Sequence, residues 1–410
     1  MRILLLTQLF QPEPNHLKGL TFAKELAKRG HEVEVLTGFP NYPGGVVYPG
    51  YKVRLQAREM MEGIPVTRVA LYPSHDDSGF RRFLCYASFA ISASLLGPFL
   101  VKRPDVIHVY QGPATLALAA IVLRIWHRTP FVLDVQDLWP ESVVSSGMLK
   151  IPGGVPLLER WCRISYRFAS RVVVLSEGYK VALEKRGCEG GRIDVVRNWC
   201  DESQSREVEG NPAVAERLSL SGYFNVLFAG TMGKVQALDA VIHAASLLKE
   251  THPDVRFVFV GGGVDVDRLK GLAAEKKASN VRFVPRQPAS EIGGILAVAD
   301  ALLIHLKDDD LGRIGIPQKT QAYLAAGKPI VMAMHGEAAH LVHRAGAGIL
   351  CEPENPESIA EAVRKLRAMP PQERAVLGES GRRFYYEQLS FHVGVDRIEK
   401  ILRNAAQTSF

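Results

Sequence analysis

The chain has 410 residues, 47% of them apolar and 23% charged, with a formal net charge of +7. That length exceeds one ordinary core and points to two α/β domains in a soluble globular protein. The positive balance suits anionic partners such as sugar nucleotides, lipid phosphates or an anionic leaflet. No run of Lys and Arg interleaved with aromatics supports nucleic-acid binding. Five scattered cysteines without a CxxC pair read as reduced thiols in a reducing compartment.

In chain order, Arg2–Thr7 is a short apolar run. As a signal peptide it is too short, and Gln8, Gln11 and Glu13 interrupt it without a cleavage site, so it reads as a buried first strand. Leu20–Arg29 has a helical apolar face and Gly30 ends it; Val33–Leu36 is the next strand. A strand-loop-helix-strand unit at the start implies a parallel sheet. Phe83–Val101 carries no charge, lies between Arg81-Arg82 and Lys102-Arg103, and has about the length of a membrane span. Ser88, Ser92 and Ser94 recur in it and Gly97-Pro98 is expected to break it. It therefore reads as a buried helix, one face of which can lie in a headgroup layer.

Further strand and helix signals alternate through Val106–Val109, Ala114–Trp126, Phe131–Val135, Arg171–Leu175 and Ile193–Val196. The polar stretch Asp201–Gly210 resembles a linker. A second series then runs from Phe224–Ala229 to the helix Pro356–Ala368, and a charged helical tail closes the chain. The predicted domains are 1–200, 201–385 and a C-terminal helix, 386–410, crossing back to the first. Two doubly wound sheets in tandem place the expected site in a cleft between the halves.

The loop Gln11–Gly19 joins the first strand to a helix, and Gly19 would let backbone approach an anion there. It is not GxGxxG, so no dinucleotide cofactor is expected. Asp137-Leu138-Trp139-Pro140-Glu141 follows the strand Phe131–Val135. Trp139 could stack on a sugar, and Asp137 or Glu141 could accept a hydroxyl proton; capping of the following helix is the competing role. In the second half, Gly230 with Lys234, and Gly261–Gly263, end strands and could turn N–H groups toward phosphate. Asp265 is expected to cap a helix, and Asp308–Asp310 to be a solvated loop; no metal is expected. Gly312 to Pro329 brings a glycine-rich approach, Arg313 and Lys319 to a helix N-terminus, which suits a pyrophosphate.

Several stretches together resemble the retaining family-four glycosyltransferases of GT-B fold, in their bacterial surface-polysaccharide branch, which includes L-fucosamine and colanic-acid-type enzymes. They are Gly30-His31-Glu32-Val33, Thr37 to Pro43, Leu71-Tyr72-Pro73-Ser74, Asp137 to Ser142, Val174 to Gly178 and Tyr323 to Pro329. The resemblance implies two Rossmann-like domains facing across a cleft. It implies a nucleotide-sugar donor on the second half, near Gly230, Lys234, Gln236, Gly263 and Arg286, with the diphosphate at Arg313, Gly315, Ile316, Pro317, Gln318, Lys319, Thr320 and Gln321. The acceptor, a saccharide on a polyprenyl diphosphate, would enter past Asn41, Tyr42 and Trp139 from the cytoplasmic membrane surface. The family pattern has a pair of Glu near this loop; here those positions hold Ile314 and Ala322. Its basic pair appears as Thr231 and Gln236, and its His beyond His108 as Tyr110. The expected activity is metal-independent, retaining transfer from a nucleoside diphosphate, expected to be UDP, by a protein peripheral to the inner face of the cytoplasmic membrane. The alternatives are a sugar-nucleotide epimerase on the same fold and an inactive binding subunit.

Overall fold

A computed structural model describes residues 1–75, 78–145, 153–204 and 211–407. The greater part of the predicted linker Asp201–Gly210 lies outside them. The chain forms two compact units: Met1–Arg197 together with Gly394–Phe410, and Asn198–Val393. The sequence-based boundaries differ from these by a few residues at each junction.

The first unit holds β1 (Arg2–Thr7), β2 (Glu32–Gly38), β3 (Gln56–Met61), β4 (Ile64–Val69), β5 (Val106–Gln111), β6 (Phe131–Val135), β7 (Arg171–Val174) and β8 (Ile193–Val195). They form one sheet in the order β3-β4-β2-β1-β5-β6-β7-β8. All neighbours pair parallel except β3 and β4. The reversal of order beside β1 is where doubly wound sheets bind ligands, beyond the strand C-termini. β1, β5 and β6 are almost wholly buried, as strands of a parallel sheet covered on both faces are. The β3–β4 hairpin escaped the sequence reading: its outer strand is half-exposed and polar, so neither continuous nor clean alternating hydrophobicity marks it. Its signal is the two-residue turn Glu62-Gly63, with both φ values positive (47° and 87°), as a tight hairpin turn requires.

The helix Gly79–Leu100 runs through Gly97-Pro98, contrary to expectation. Pro98 lies in the last turn, so the bond it forfeits to Ser94 O is lost next to the end, where the helix stops at Val101. Gly97 is there for contact: a Cβ would stand 3.0 Å from Leu36 and 3.3 Å from Leu123. The last helix, Phe391–Ala406, is fixed to the first unit by ion pairs. Arg29 meets Asp396 at 2.5 Å and Glu399 at 2.9 Å, and His31 Nε2 meets Glu399 at 2.9 Å.

The second unit holds β9 (Phe224–Thr231), β10 (Val255–Gly262), β11 (Val281–Val284), β12 (Ala301–His305), β13 (Ile330–Ala333) and β14 (Gly348–Leu350). Its wholly parallel order is β11-β10-β9-β12-β13-β14. Two apolar cores, one per face, contain Phe228, Phe257 and Leu303 on one side and Leu227, Leu302 and Tyr323 on the other.

Candidate active site

In the first unit, the loops leaving the sheet at the C-terminal ends of β1, β2, β5 and β6 line a pocket of about 310 Å³. Gln8, Asn41, Tyr42, Cys85, Asp137 and Trp139 are among its walls. The three residues expected to meet an acceptor, Asn41, Tyr42 and Trp139, thus share one cavity with Asp137.

Buried Glu13 shapes it. One carboxylate oxygen accepts from the backbone N–H groups of Asn41 and Tyr42, both at 2.8 Å. The other accepts from Phe10 N at 3.2 Å. Burial raises the Glu13 pKa, opposed by those three N–H donors. Arg68, also buried, donates to Gly38 O at 2.8 Å and to Gln11 O, bracing the same two loops. Neither residue was picked out from sequence, because both act across long chain separations. Removing the Glu13 acceptors strands up to three buried donors. Glu13→Ala is expected to cost about 2–4 kcal/mol in urea unfolding, at roughly 1–3 kcal/mol per unsatisfied group. Glu13→Gln, which keeps an oxygen for Asn41 and Tyr42, is expected to cost less.

Asp137 is open to water at the pocket, yet the protein around it pushes its pKa up to about 6 by desolvation. No carboxylate or cation contributes to that shift. Glu141 has a different employment from the proton acceptor expected. Arg186 pairs with it and also donates to Trp139 O at 2.8 Å, so Glu141 and Arg186 anchor the Trp139–Glu141 turn. Gln8 Oε1 and Ser74 Oγ are buried at the pocket wall without a hydrogen-bond partner among the described residues. Gly19 stays in the first unit for a packing reason: a Cβ would stand 2.2 Å from Asn15 O. The first N–H of the following helix, Leu20 N, donates to Gln11 Oε1 at 2.7 Å and is not free for an anion.

Behind the pocket sits a buried charge cluster. Asp134 on β6 faces Lys18 Nζ at 3.7 Å and His108 Nε2 of β5 at 3.3 Å, and accepts from Gln136 Nε2 at 2.5 Å. All three side chains, Lys18, His108 and Asp134, are buried, at 0–1% side-chain exposure. Burial would raise the Asp134 pKa, but Lys18 and His108 more than offset it and hold it low. Burial lowers that of Lys18.

In the second unit, Lys319 lies in the first turn of the helix Gln318–Ala326. Its Nζ stands 3.5 Å from the centre of the Phe228 ring. A Cβ at Gly230, whose φ is 144°, would lie 3.4 Å from that amine, so glycine keeps the amine uncovered. Among the described residues no carboxylate pairs with Lys319, and burial alone pushes its pKa down to about 7. Tyr323, on the same helix, ties it to β9: its hydroxyl accepts from Ala229 N at 2.8 Å. Lys319 is thus a half-buried basic group with no carboxylate partner among the described residues.

Its neighbours are largely engaged within the protein. Arg313 is held bidentately by Asp308, both contacts at 2.7 Å, which removes it as a free cation. Gly315 N donates to Leu311 O at 3.0 Å and Thr320 N to Pro317 O at 2.8 Å. Gln318 is exposed, Ile316 and Pro317 half-buried. Buried Gln321 lies 2.9 Å from Pro317 O and 3.1 Å from Gln318 O when its amide nitrogen faces them. Gln236 accepts from Gly233 N at 3.0 Å and closes the turn that carries Lys234, which is exposed without an ion pair among the described residues. Gly263 and Gly261 permit strand contact rather than an open phosphate nest: a Cβ on them would stand 2.1 Å from Met232 O and 2.0 Å from Gly230 O. Asp265 sits at a helix start but makes no cap; its carboxylate takes Arg268 at 3.0 Å. Arg286 is exposed beyond β11, without a hydrogen bond or ion pair among the described residues.

Two family models match this geometry unit by unit: "Glycosyl transferase 4-like domain" over residues 20–199 and "Glycosyl transferases group 1" over residues 215–384. The chain belongs to the family-four glycosyltransferases. This glycosyltransferase is 26% identical over 306 residues to the "Probable glycosyltransferase WbjE" of Pseudomonas aeruginosa, covering 74% of this chain and 75% of that one. It is 26% identical over 385 residues to WcaI of Escherichia coli (strain K12), named for colanic acid biosynthesis, covering 90% and 93%. Among solved structures, Anabaena HepE in complex with UDP-glucose superposes with TM-score 0.70 at 16% identity, covering 98% of this chain and 100% of that one. A trehalose 6-phosphate synthase from Burkholderia multivorans gives TM-score 0.73 at 15% identity, covering 99% of each. These likenesses establish the GT-B fold of two Rossmann-like domains. The glycosyltransferase's Ile314 and Ala322 stand at a short helix end and in the Lys319 helix, and neither supplies a carboxylate.

Proposed function

We propose that this glycosyltransferase moves a hexosyl unit, N-acetylated or deoxy, from a UDP-sugar to a saccharide on a polyprenyl diphosphate. The reaction retains anomeric configuration, needs no metal and serves surface-polysaccharide synthesis at the cytoplasmic membrane surface. The observation that carries the donor assignment is Lys319, a lysine at a helix N-terminus beside Gly230 with no carboxylate partner among the described residues. The names of WbjE and WcaI support the polysaccharide context, and the HepE complexes with UDP, glucose and UDP-glucose support the donor class.

When the anomeric C–O bond breaks, the diphosphate gains charge. Protonated Lys319 and the first-turn N–H groups stabilise that charge. The acceptor occupies the first-unit pocket, where ionised Asp137 accepts a hydrogen bond from a hydroxyl beside the attacking one, whose own proton goes to the leaving phosphate. An epimerase would need acid and base groups facing the donor. His305 does not offer one: its Nδ1 contacts Gln236 O at 2.8 Å, and its Nε2 accepts from Glu354 N at 3.0 Å.

The pKa of Lys319 makes the assignment measurable. Near pH 8 the free amine is largely neutral, and a bound diphosphate raises its pKa, so UDP binding takes up a proton. At pH 6 the amine is already charged and uptake vanishes. Calorimetry in buffers of different ionisation enthalpy reads this directly. Lys319→Met abolishes the uptake and weakens UDP roughly 10–100-fold, the worth of one charge-assisted contact. Undiminished UDP affinity and turnover in that variant would overturn the donor site. UDP with a lengthened acceptor supports transfer; free epimerised sugar nucleotide or no nucleotide binding supports the alternatives.

A further inference from the structure

The helix Gly79–Leu100 is 22 residues long with mean hydropathy 1.7 over its most apolar window, and only 39% of that window is buried. By length it could cross a bilayer, but one face is a wall of the first unit. Cys85, Phe89, Ala93 and Gly97 are buried on that side, packed so closely at Gly97 that a Cβ there would crowd Leu36 and Leu123. The other face carries Phe83, Ile91, Leu95 (66% exposed) and Phe99 (71% exposed). From Ile91 onward these recur every four residues and lie on one stripe.

A second helix extends this surface. Ala117–His127 packs beside it, and Trp126 (56% exposed) meets Phe99 edge-on with ring centres 4.9 Å apart. Ile125 is exposed beside Trp126. An apolar surface of this extent on a soluble domain marks an interaction site. Its charge pattern selects the partner. Between Ser78 and Leu133 there are six basic residues, Arg81, Arg82, Lys102, Arg103, Arg124 and Arg128, and one acid, Asp105. Asp105 is engaged by Arg2 N at 2.7 Å. Basic residues therefore stand at both ends of Gly79–Leu100, with Lys102 3.6 Å from Glu32, and at the C-terminal end of Ala117–His127. That is the pattern of a helix lying in an interface: apolar side chains among the acyl chains, cations at the phosphates, and an aromatic at the boundary.

We infer that the outer faces of Gly79–Leu100 and Ala117–His127 form a docking surface for an anionic phospholipid bilayer, entered by Leu95, Phe99, Ile125 and Trp126 without a span. The inference deepens the lipid-linked acceptor reading and rests on it for its purpose, but the binding is measurable without catalysis.

The test is sedimentation of the full chain with vesicles of phosphatidylcholine alone and with 30% phosphatidylglycerol, at low and high salt. Binding is expected only with the anionic lipid, weakening at high salt. Leu95→Ser/Phe99→Ser is expected to reduce the partition coefficient at least tenfold while thermal stability and UDP affinity stay at wild-type values. Chain-labelled quencher lipids are expected to quench part of the tryptophan fluorescence, and Trp126→Phe to remove that quenching while vesicle binding persists. Vesicle binding without transfer activity leaves this surface standing and removes the proposed reaction. No anionic vesicle binding by an active enzyme overturns the surface alone. A dimer in light scattering that the double variant dissociates, with no vesicle binding, assigns the face to a second copy and also overturns the inference.

Discussion

Lys18→Met is expected to destabilise the first unit by about 3–5 kcal/mol, the usual result of removing one partner from a buried ion pair. Asp134 would then keep a buried charge faced only by His108 and the Gln136 amide. The pH dependence has a definite sign. In the wild type the Asp134 pKa is lowered, so its contribution is present above the ordinary carboxylate pKa and is lost as pH falls. In the variant, burial without Lys18 raises that pKa, so stability is instead lost as pH rises through the new value. The difference between the two proteins therefore shrinks toward acid pH. The pair Lys18→Met/Asp134→Asn is expected to recover much of the loss, because neither remaining group is a lone buried charge. Urea unfolding followed by tryptophan fluorescence from pH 4 to 8 measures all of this. A single variant that loses less than about 1 kcal/mol would show that water or a neighbour compensates the carboxylate.

Asp137→Asn is expected to lower turnover about a hundredfold or more, the size of a positioned acid-base or hydrogen-bonding contribution. UDP affinity should not change, because the residue lies in the first-unit pocket and the proposed donor contacts lie in the second unit. In the wild type the rate should rise with pH through about 6, where Asp137 ionises, and that limb should be missing in the variant. Stability gives a second reading. A carboxyl whose folded pKa is raised to about 6 stabilises the fold below its unfolded pKa, and that stability is lost as pH rises through 6. The amide removes this penalty, so the variant should melt at or above the wild-type temperature at pH 7.5. An inactive but undiminished fold is the mark of a functional group, whereas lost stability with lost activity would mark a structural one.

The difference between these two residues shows what a sequence discloses. Asp137 lies in the loop after a fully buried strand, Phe131–Val135, and polar residues that open such a loop are placed by local signals. Asn41 and Tyr42 follow β2 in the same way. Arg2–Thr7 and Pro356–Ala368 were legible to the residue because a buried run and a proline-led first turn are local signals. Glu13 was not legible. Its partners Asn41 and Tyr42 are nearly thirty residues away, and only the fold brings them together. Arg313 was misread for the opposite reason. Beside glycines and a helix start it looks poised for phosphate, but Asp308, five residues before it, already neutralises it. Gly261–Gly263 likewise looked like a phosphate turn, while the missing side chains serve the approach of β10 to the end of β9. Local composition identified where ligands could bind; it could not say which donors were already taken.

The last helix gives the chain an order of assembly. Residues Asn198–Val393 form the second unit, and Gly394 onward joins the first again. The second unit is thus an insertion, continuous in sequence, inside a discontinuous host. During synthesis the insertion can complete itself from consecutive residues. The host cannot, because Arg29 and His31 wait for Asp396 and Glu399, made more than three hundred residues later. Until then the N-terminal unit lacks these closing ion pairs and the apolar stripe of Val395, Ile398, Ile401 and Leu402 that packs with them. A chain cut before Gly394 would injure the unit at the opposite end of the sequence and leave the nearer one whole.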